Sequence, residues 1–219
     1  PLVRVMLADG LAATTIDLGG AHEVRTPRGT SRSVLGLVWP LQVRGDDVVV
    51  GDLVAGPWLE LLPDDGVVRH DGRAYRGGLR IEAHEGGLRV VNLVDLEAYL
   101  RGVVPSEMQA SWPLEALKAQ AVAARSYTLA SLDRDAPYDV CASDACQVYR
   151  GMAVEHPRSD RAVLETEGVV IAWRGTPAMA YYHADSGGIV ASSGEVWGRE
   201  LPYLPSRADV AAVSPHRGW

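Results

Sequence analysis

The segment from Asp95 to Leu132, DLEAYLRGVVPSEMQASWPLEALKAQAVAARSYTLASL, constrains this chain more than any other. Its second half runs from Leu114 to Leu132 without Gly or Pro, so one long helix is expected over about residues 113–132. Leu114, Leu117, Ala121, Ala124, Thr128 and Leu132 supply a helical stripe. Ala116, Ala119, Ala123 and Ala130 add small side chains on the other faces, so neighbours can approach from several directions. Such a helix is central and buried, and the rest of the chain has to pack around it.

Just upstream, Asp95 can cap a short helix whose apolar face is Leu96, Tyr99 and Leu100. Gly102 and the pair Val103-Val104 are expected to end it, and Pro105 to exclude a continuous helix. Glu107 then stands at the mouth of the next element. Pro113 suits the first turn of the long helix, with Ser111 or Trp112 as its cap. Gln120 and Arg125 fall on that buried helix, where an amide and a guanidinium need partners. Either they tie loops to the helix, or they orient Glu107 or a ligand.

Residues 1–94 read as β structure. Apolar or alternating runs at Leu2–Leu7, Ser33–Trp39, Asp47–Val50, Trp58–Leu62 and Leu79–Ala83 are separated by Gly- and Asp-rich breaks, the pattern of a small barrel or sandwich. His22, His70 and His84 fall on turns and strand ends and are expected to be solvated. Leu88–Asn92 is a strand leading into the central segment. After the long helix, residues 138–151 form a compact loop with both cysteines, and 159–167 a third helix with Ala162, Val163 and Thr166 inward. Val169–Trp173 and Ala178–His183 read as a hairpin around residues 174–177. The expected fold class is therefore α+β: a β-rich N-terminal lobe over 1–87, packed with a lobe over 88–219 built on the long helix.

The net charge of -7 and pI near 5.3 argue against nucleic acid, whose binding depends on basic patches. No apolar run approaches the ~18 residues that span a bilayer, and no signal peptide is present. The chain starts at Pro1 and its last residues, SPHRGW, stop in mid-pattern, so a trimmed fragment is expected, with any secretion signal or membrane anchor upstream.

Glu107 is the main candidate for chemistry. Val103, Val104, Pro105, Met108 and Trp112 flank it, and partial desolvation favours the protonated form that a general acid needs. The plainer alternative is a helix-terminal Glu bonded to backbone N–H groups. His183, Asp185 and Ser186 are too close together for a Ser/His/Asp triad, which is assembled from distant segments. His183 and Ser186 read instead as polar groups lining a pocket. Trp112, Tyr182 and Trp197 offer stacking surface or core.

LEAYLRGVVPSEMQASWPLEALKAQAVAARSYTL, YDVCASDACQVYRGM, AVLETEGVVIAWRGTPAMAYYHADSGG and EVWGRELPYL, in that order, resemble the SpoIID/LytB family of bacterial cell-wall proteins over roughly residues 73–204; residues 1–72 resemble the β-rich leader of such proteins only loosely. Pro105-Ser106-Glu107-Met108 matches the family's P-x-E-M motif, whose Glu is the proposed catalytic residue of a lytic transglycosylase. The resemblance implies cleavage between N-acetylmuramic acid and N-acetylglucosamine to give 1,6-anhydro ends. The substrate would be glycan strands of peptidoglycan stripped of stem peptides by a partner amidase, outside the cytoplasmic membrane. One carboxylate suffices for that reaction, whereas hydrolysis needs two at set separation. The rival implied by LytB-type members is a non-catalytic enhancer that binds glycan or an amidase.

Gln147 and Tyr149 match the family's C-Q-x-Y block. With Gln120, Arg125, His183 and Ser186 they form the candidate substrate-binding set, expected to converge with Glu107 around one groove. Cys141 and Cys146 allow three readings: a disulfide, which takes precedence, a zinc half-site as the corresponding Cys and His of some members suggest, or free thiols. Two Cys cannot complete a tetrahedral zinc site, so His183 or water would have to join them. No cofactor is required by the expected chemistry.

Overall fold

The computed structural model describes residues 1–34 and 37–209. Strands β1 (Leu2–Leu11), β2 (Ala13–Leu18), β3 (His22–Thr26), β4 (Gly29–Ser33), β5 (Leu37–Arg44), β6 (Asp47–Val50), β7 (Leu53–Gly56), β8 (Trp58–Pro63), β9 (Val67–His70), β10 (Arg73–Arg76), β11 (Gly78–His84) and β12 (Gly87–Asp95) come first. Then follow α1 (Leu96–Glu107), α2 (Leu114–Ala130), β13 (Val140–Cys141), a 3-10 turn at Gly151–Val154, α3 (Pro157–Glu165) and the short α4 (Ser193–Trp197). The fold is α+β with a β-rich N-terminal part.

The strands form two main sheets, ordered β13-β1-β12-β11-β8-β3-β4 and β10-β9-β2-β5-β6-β7. Alternation brings Val3, Val5, Leu59, Leu61, Leu79 and Ile81 of the first sheet into one core with Ile16, Leu18, Leu41, Val48 and Val68 of the second. The hairpins β9–β10 and β11–β12 turn on Asp71-Gly72 and Glu85-Gly86, where both residues have positive φ, the two-residue geometry that matches strand twist.

Strand β12 is the hinge between sheets and helices. It pairs antiparallel with β1 and β11 and is buried from Gly87 to Val94, so its sequence is apolar on both faces. Arg89 and Asn92 are its buried polar exceptions: Arg89 pairs with Asp9, and Asn92 donates to the carbonyls of Arg76 and Gly78 and accepts from Tyr149. The same core continues through Leu96, Tyr99, Leu100, Val103, Leu117, Ala121, Ala124, Tyr149 and Val163. The 87/88 boundary expected from sequence thus falls at the start of a strand embedded in the larger sheet.

Helix α1 corrects the expectation at Pro105. It runs through Gly102-Val103-Val104 and Pro105 to Glu107. Pro105 sits in the last turn, where the ladder is about to stop. It withholds one N–H from Arg101, while Ser106 Oγ donates to the Gly102 carbonyl at 2.7 Å and the Met108 N–H to Val104 at 3.0 Å. Glu107 therefore ends α1 and does not open the next element. Asp95 does cap α1, accepting from the Glu97 N–H.

Helix α2 starts with Pro113 in the capping position and no side-chain cap from Ser111 or Trp112. Leu117, Ala121, Ala124 and Thr128 are buried as the stripe requires, but the helix ends at Ala130 and leaves Leu132 exposed. Helix α3 begins earlier than expected, because His156 caps it and Pro157 takes its first position; Ala162, Val163 and Thr166 do point inward.

Three other expectations change. His22 and His70 are buried, not solvated: His22 bonds Gly20 O and packs edge-on to Trp39, and His70 bonds Thr14, with burial lowering its pKa. The expected hairpin is confined to Ala172–Trp173 against Thr176–Pro177, turning on Arg174-Gly175, because only those two residues adopt the left-handed pair a tight turn needs. The expected strand Ser33–Trp39 divides between the end of β4 and the start of β5, with 35–36 outside the described residues, as is the chain end SPHRGW.

Candidate functional site

Glu107 is half-buried at the end of α1, and its Oε1 accepts the backbone N–H of Val148 at 2.6 Å. That bond brings the cysteine loop against the helix end. The loop is itself fixed from below. Val140 and Cys141 form β13, parallel to β1, and Arg4 on β1 bonds Asp139 through its backbone and its guanidinium. Burial pushes the Asp139 carboxyl upward, but these bonds from Arg4 outweigh it and hold the group below the ordinary carboxylate range. Cys141 and Cys146 are joined as a disulfide with Cα atoms 5.4 Å apart.

Gln147 is fully buried, and all its bonds are internal. Its Oε1 accepts from Tyr99 at 3.2 Å and Thr128 at 2.8 Å; its Nε2 donates to the Ala124 carbonyl at 3.3 Å and the Tyr182 hydroxyl at 3.1 Å. The Glu107 carboxylate is near enough for its charge to act on the Tyr182 hydroxyl. Burial first, and then the charge of Glu107, raise the Tyr182 pKa, so the phenol keeps its proton. Three separate stretches, Glu107, Gln147-Val148 and Tyr182, thus meet at one point.

Tyr182 also lines a cavity of about 220 Å³ with Tyr181, His183, Val196, Trp197 and Tyr203. Tyr181 and Trp197 stack there with ring centroids 3.8 Å apart, and Tyr181 meets Tyr127 edge-on. Trp197 remains 51% exposed, so an aromatic face is open to a ligand. Glu107 does not line this cavity; Tyr182 lines it and bonds Gln147, whose neighbour Val148 holds Glu107.

Other expected site residues lie elsewhere. Arg125 is 1% exposed and makes a bidentate pair with Glu97, with further bonds to the Val163 and Val169 carbonyls, so it joins α1, α2 and the end of α3. Tyr149 donates to Asn92 and packs so closely on Gly102 that a Cβ there would lie 2.5 Å from its ring. Ser186 donates to Asp209 and accepts from the Gly188 N–H within a turn. Gln120 is buried, with no partner found for its Nε2 among the described residues. Trp112 is half exposed, and its carbonyl accepts from Arg158.

The residues missing from the sequence reading are Val148, which acts through its backbone, and Tyr181 and Tyr203. No side-chain pattern signals a backbone donor. A metal does not fit: both cysteine sulfurs are spent on each other, and no group of three His, Cys, Asp or Glu side chains among the described residues is placed to hold an ion.

Carboxylates adjacent in sequence are engaged away from Glu107. Asp95 caps α1, Glu97 pairs with Arg125, and Glu115 pairs with Lys118. Glu107 is thus a half-buried carboxyl with one oxygen tethered to the backbone of the cysteine loop.

The family described as SpoIID, Stage II sporulation protein, matches residues 84–173, from the end of β11 through the cysteine loop and α3 to Trp173. An amidase enhancer of Bacillus subtilis is 40% identical over 120 residues, covering 55% of this chain and 16% of that protein. Stage II sporulation protein D of the same organism is 31% identical over 133 residues, covering 53% and 39%. An uncharacterised protein of Brachyspira hyodysenteriae is 32% identical over 210 residues, covering 93% and 57%. The chain thus spans well under two thirds of each of these relatives. The match over 84–173 and the likeness to both Bacillus proteins support assigning this part of the chain to the SpoIID family.

Proposed function

We propose that this chain cleaves glycan strands of peptidoglycan as a lytic transglycosylase, with Glu107 as its single general acid and base. The observation that carries this reading is Tyr182, which lines the aromatic cavity and bonds Gln147, the residue before the one whose N–H holds Glu107. A sugar ring stacked on Trp197 and Tyr181 would lie one side chain away from the acid. Glu107 protonates the oxygen between N-acetylmuramic acid and N-acetylglucosamine, and that bond breaks. The C6 hydroxyl of the same muramic acid attacks its C1, and the proton it loses returns to Glu107. No water is consumed, and no second carboxylate is needed. The engagement of Asp95, Glu97 and Glu115 elsewhere supports one-carboxylate chemistry.

The disulfide supports a role outside the cytoplasmic membrane, since such bonds persist in oxidising compartments. No helix among the described residues is long and apolar enough to cross a membrane. Strands already stripped of stem peptides are the expected substrate, with an amidase as the partner that prepares them.

A second reading has its own support. A relative at 40% identity is named an amidase enhancer, and an enhancer would use the same cleft to bind glycan without cutting it. Peptide-stripped strands incubated with the protein separate the two. Anhydro-muramic ends from the unsubstituted protein, lost on Glu107→Gln by ~10²–10⁴-fold, support the enzyme. No anhydro ends, with amidase stimulation that survives Glu107→Gln, would replace it with the enhancer.

A further inference from the structure

We infer that Arg199 and Arg207 form a carboxylate-reading site beside the stacked pair of Tyr181 and Trp197, selecting muramic acid whose lactyl carboxyl is free over muramic acid that still carries a stem peptide. The observation is which guanidiniums lack a partner. Arg4, Arg25 and Arg80 line a groove on the larger sheet, and each pairs with a carboxylate. Arg76, Arg101 and Arg161 line a groove between α1 and α3, and each is paired too. Arg207 lines the aromatic cavity already described, and Arg199 lines a second cavity of about 340 Å³. Both are exposed, and neither side chain has an ion pair or hydrogen bond among the described residues. Tyr181, Trp197 and Tyr203 belong to both cavities, so each guanidinium shares a cavity with the same aromatic surface. The carboxylates of this stretch are engaged elsewhere. Glu195 completes the capping box of α4 with Ser192, Asp185 accepts the Gly187 N–H, and Asp209 accepts from Ser186. The Glu200 side chain lies where a Cβ on Gly194 would stand.

A sugar ring and a carboxylate need different partners. The stacked aromatic pair offers the ring a flat apolar face. A guanidinium offers the carboxylate two parallel N–H groups that match its two oxygens. Muramic acid carries both groups on one residue, because its lactyl arm is joined to the ring. While a stem peptide is attached, the lactyl carbonyl is part of an amide and bears no charge. Hydrolysis of that amide adds water across the C–N bond, leaving a carboxylate on the sugar and an amine on the departing peptide. Only a stripped strand therefore presents an anion close to the ring that stacks. Muramic acid recurs at every second sugar, so one strand supplies carboxylates to both guanidiniums. Elsewhere the chain's net charge of -7 disfavours a polyanion, and two free cations beside an aromatic face set where such a strand docks.

This inference rests on the glycan reading of the cleft but not on cleavage at Glu107, so binding is measured apart from cutting. Two tetrasaccharides of alternating N-acetylglucosamine and N-acetylmuramic acid serve as probes, one with free lactyl carboxylates and one with those carboxyls capped as methylamides. In calorimetry on the full chain, the free-carboxylate compound is expected to bind about 10–100-fold tighter, the worth of hydrogen bonds to a charged group, and less so as salt rises. In the Arg199→Gln, Arg207→Gln protein that preference is expected to disappear. Removing two charges from the smaller sheet instead, at Arg44 and Arg69, is expected to leave it intact. Equal binding of the two probes by the unsubstituted protein overturns the inference while the glycan reading stands. A preference that survives in the Arg199→Gln, Arg207→Gln protein, or is lost equally in the Arg44→Gln, Arg69→Gln protein, also overturns it. Binding of neither probe overturns both readings. If the preference behaves as expected but stripped strands yield no anhydro ends, the carboxylate site stands and the enzyme reading gives way to the enhancer.

Discussion

The Val148 N–H and Glu107 Oε1 lie 2.6 Å apart, joining the end of α1 to the residue that follows Gln147. Through this bond a carboxyl at a helix terminus is oriented by a loop 41 positions away in sequence. The helix end supplies the residue, and the loop supplies its direction.

Gln147 is predicted to matter more for stability than its polarity suggests. Gln147→Leu keeps the volume but leaves the Tyr99 hydroxyl without its buried acceptor and the Tyr182 hydroxyl without its donor, while Thr128 keeps the Ala124 carbonyl. A loss of about 2–3 kcal/mol is expected in urea denaturation, from unsatisfied buried groups. A stability equal to the parent's would mean the two hydroxyls find other partners.

Arg125 gives a sharper case. Arg125→Met strands Glu97 and frees the Val163 and Val169 carbonyls between α1, α2 and α3. The expected cost is about 3–5 kcal/mol, typical of breaking a buried pair by removing one partner. Replacing Glu97 as well should recover part of it, measurable as a double-mutant cycle in thermal unfolding. Additive losses would show that the pair is not coupled.

The disulfide closes a short loop, so its effect through the unfolded chain is modest, about 2 kcal/mol. The Cys141→Ala, Cys146→Ala protein should melt lower and be insensitive to reductant. The unsubstituted protein should lose stability on reduction. Equal melting with and without reductant in the unsubstituted protein would contradict the pairing.

Alkaline pH should destabilise the fold through its tyrosines. Burial raises the pKa of Tyr99, Tyr149 and Tyr182 above the ordinary value near 10. Below that value both states are protonated and stability is complete. Above it the unfolded chain releases protons that the folded one retains, so stability falls as pH rises. Denaturation followed from pH 8 to 11 should show this decline, and Tyr149→Phe should lessen it. A flat profile would place these hydroxyls in solvent.

Some of the site was legible because its cause is local. Asp95 caps α1 within two residues, and the small side chains of Ala121 and Ala124 mark a face that neighbours approach closely. Pro105 was misleading for the same reason: sequence shows the missing N–H, but not that the bonds of Ser106 to Gly102 and of Met108 to Val104 carry the helix past it. The buried His22 and His70 were likewise hidden, because their partners, Gly20 and Thr14, signal nothing in the sequence.

By itself the sequence determined the α+β class, the central helix and the closeness of two cysteines five positions apart, all of which follow from periodicity or short-range geometry. Tertiary structure alone decided which polar groups face that carboxyl. Arg125 and Tyr149 turned into the scaffold, Tyr182 onto Gln147, and the Val148 backbone toward Glu107. The reason is that a buried donor or acceptor must find its partner wherever packing puts one, and the chain separation between partners leaves no trace in residue order.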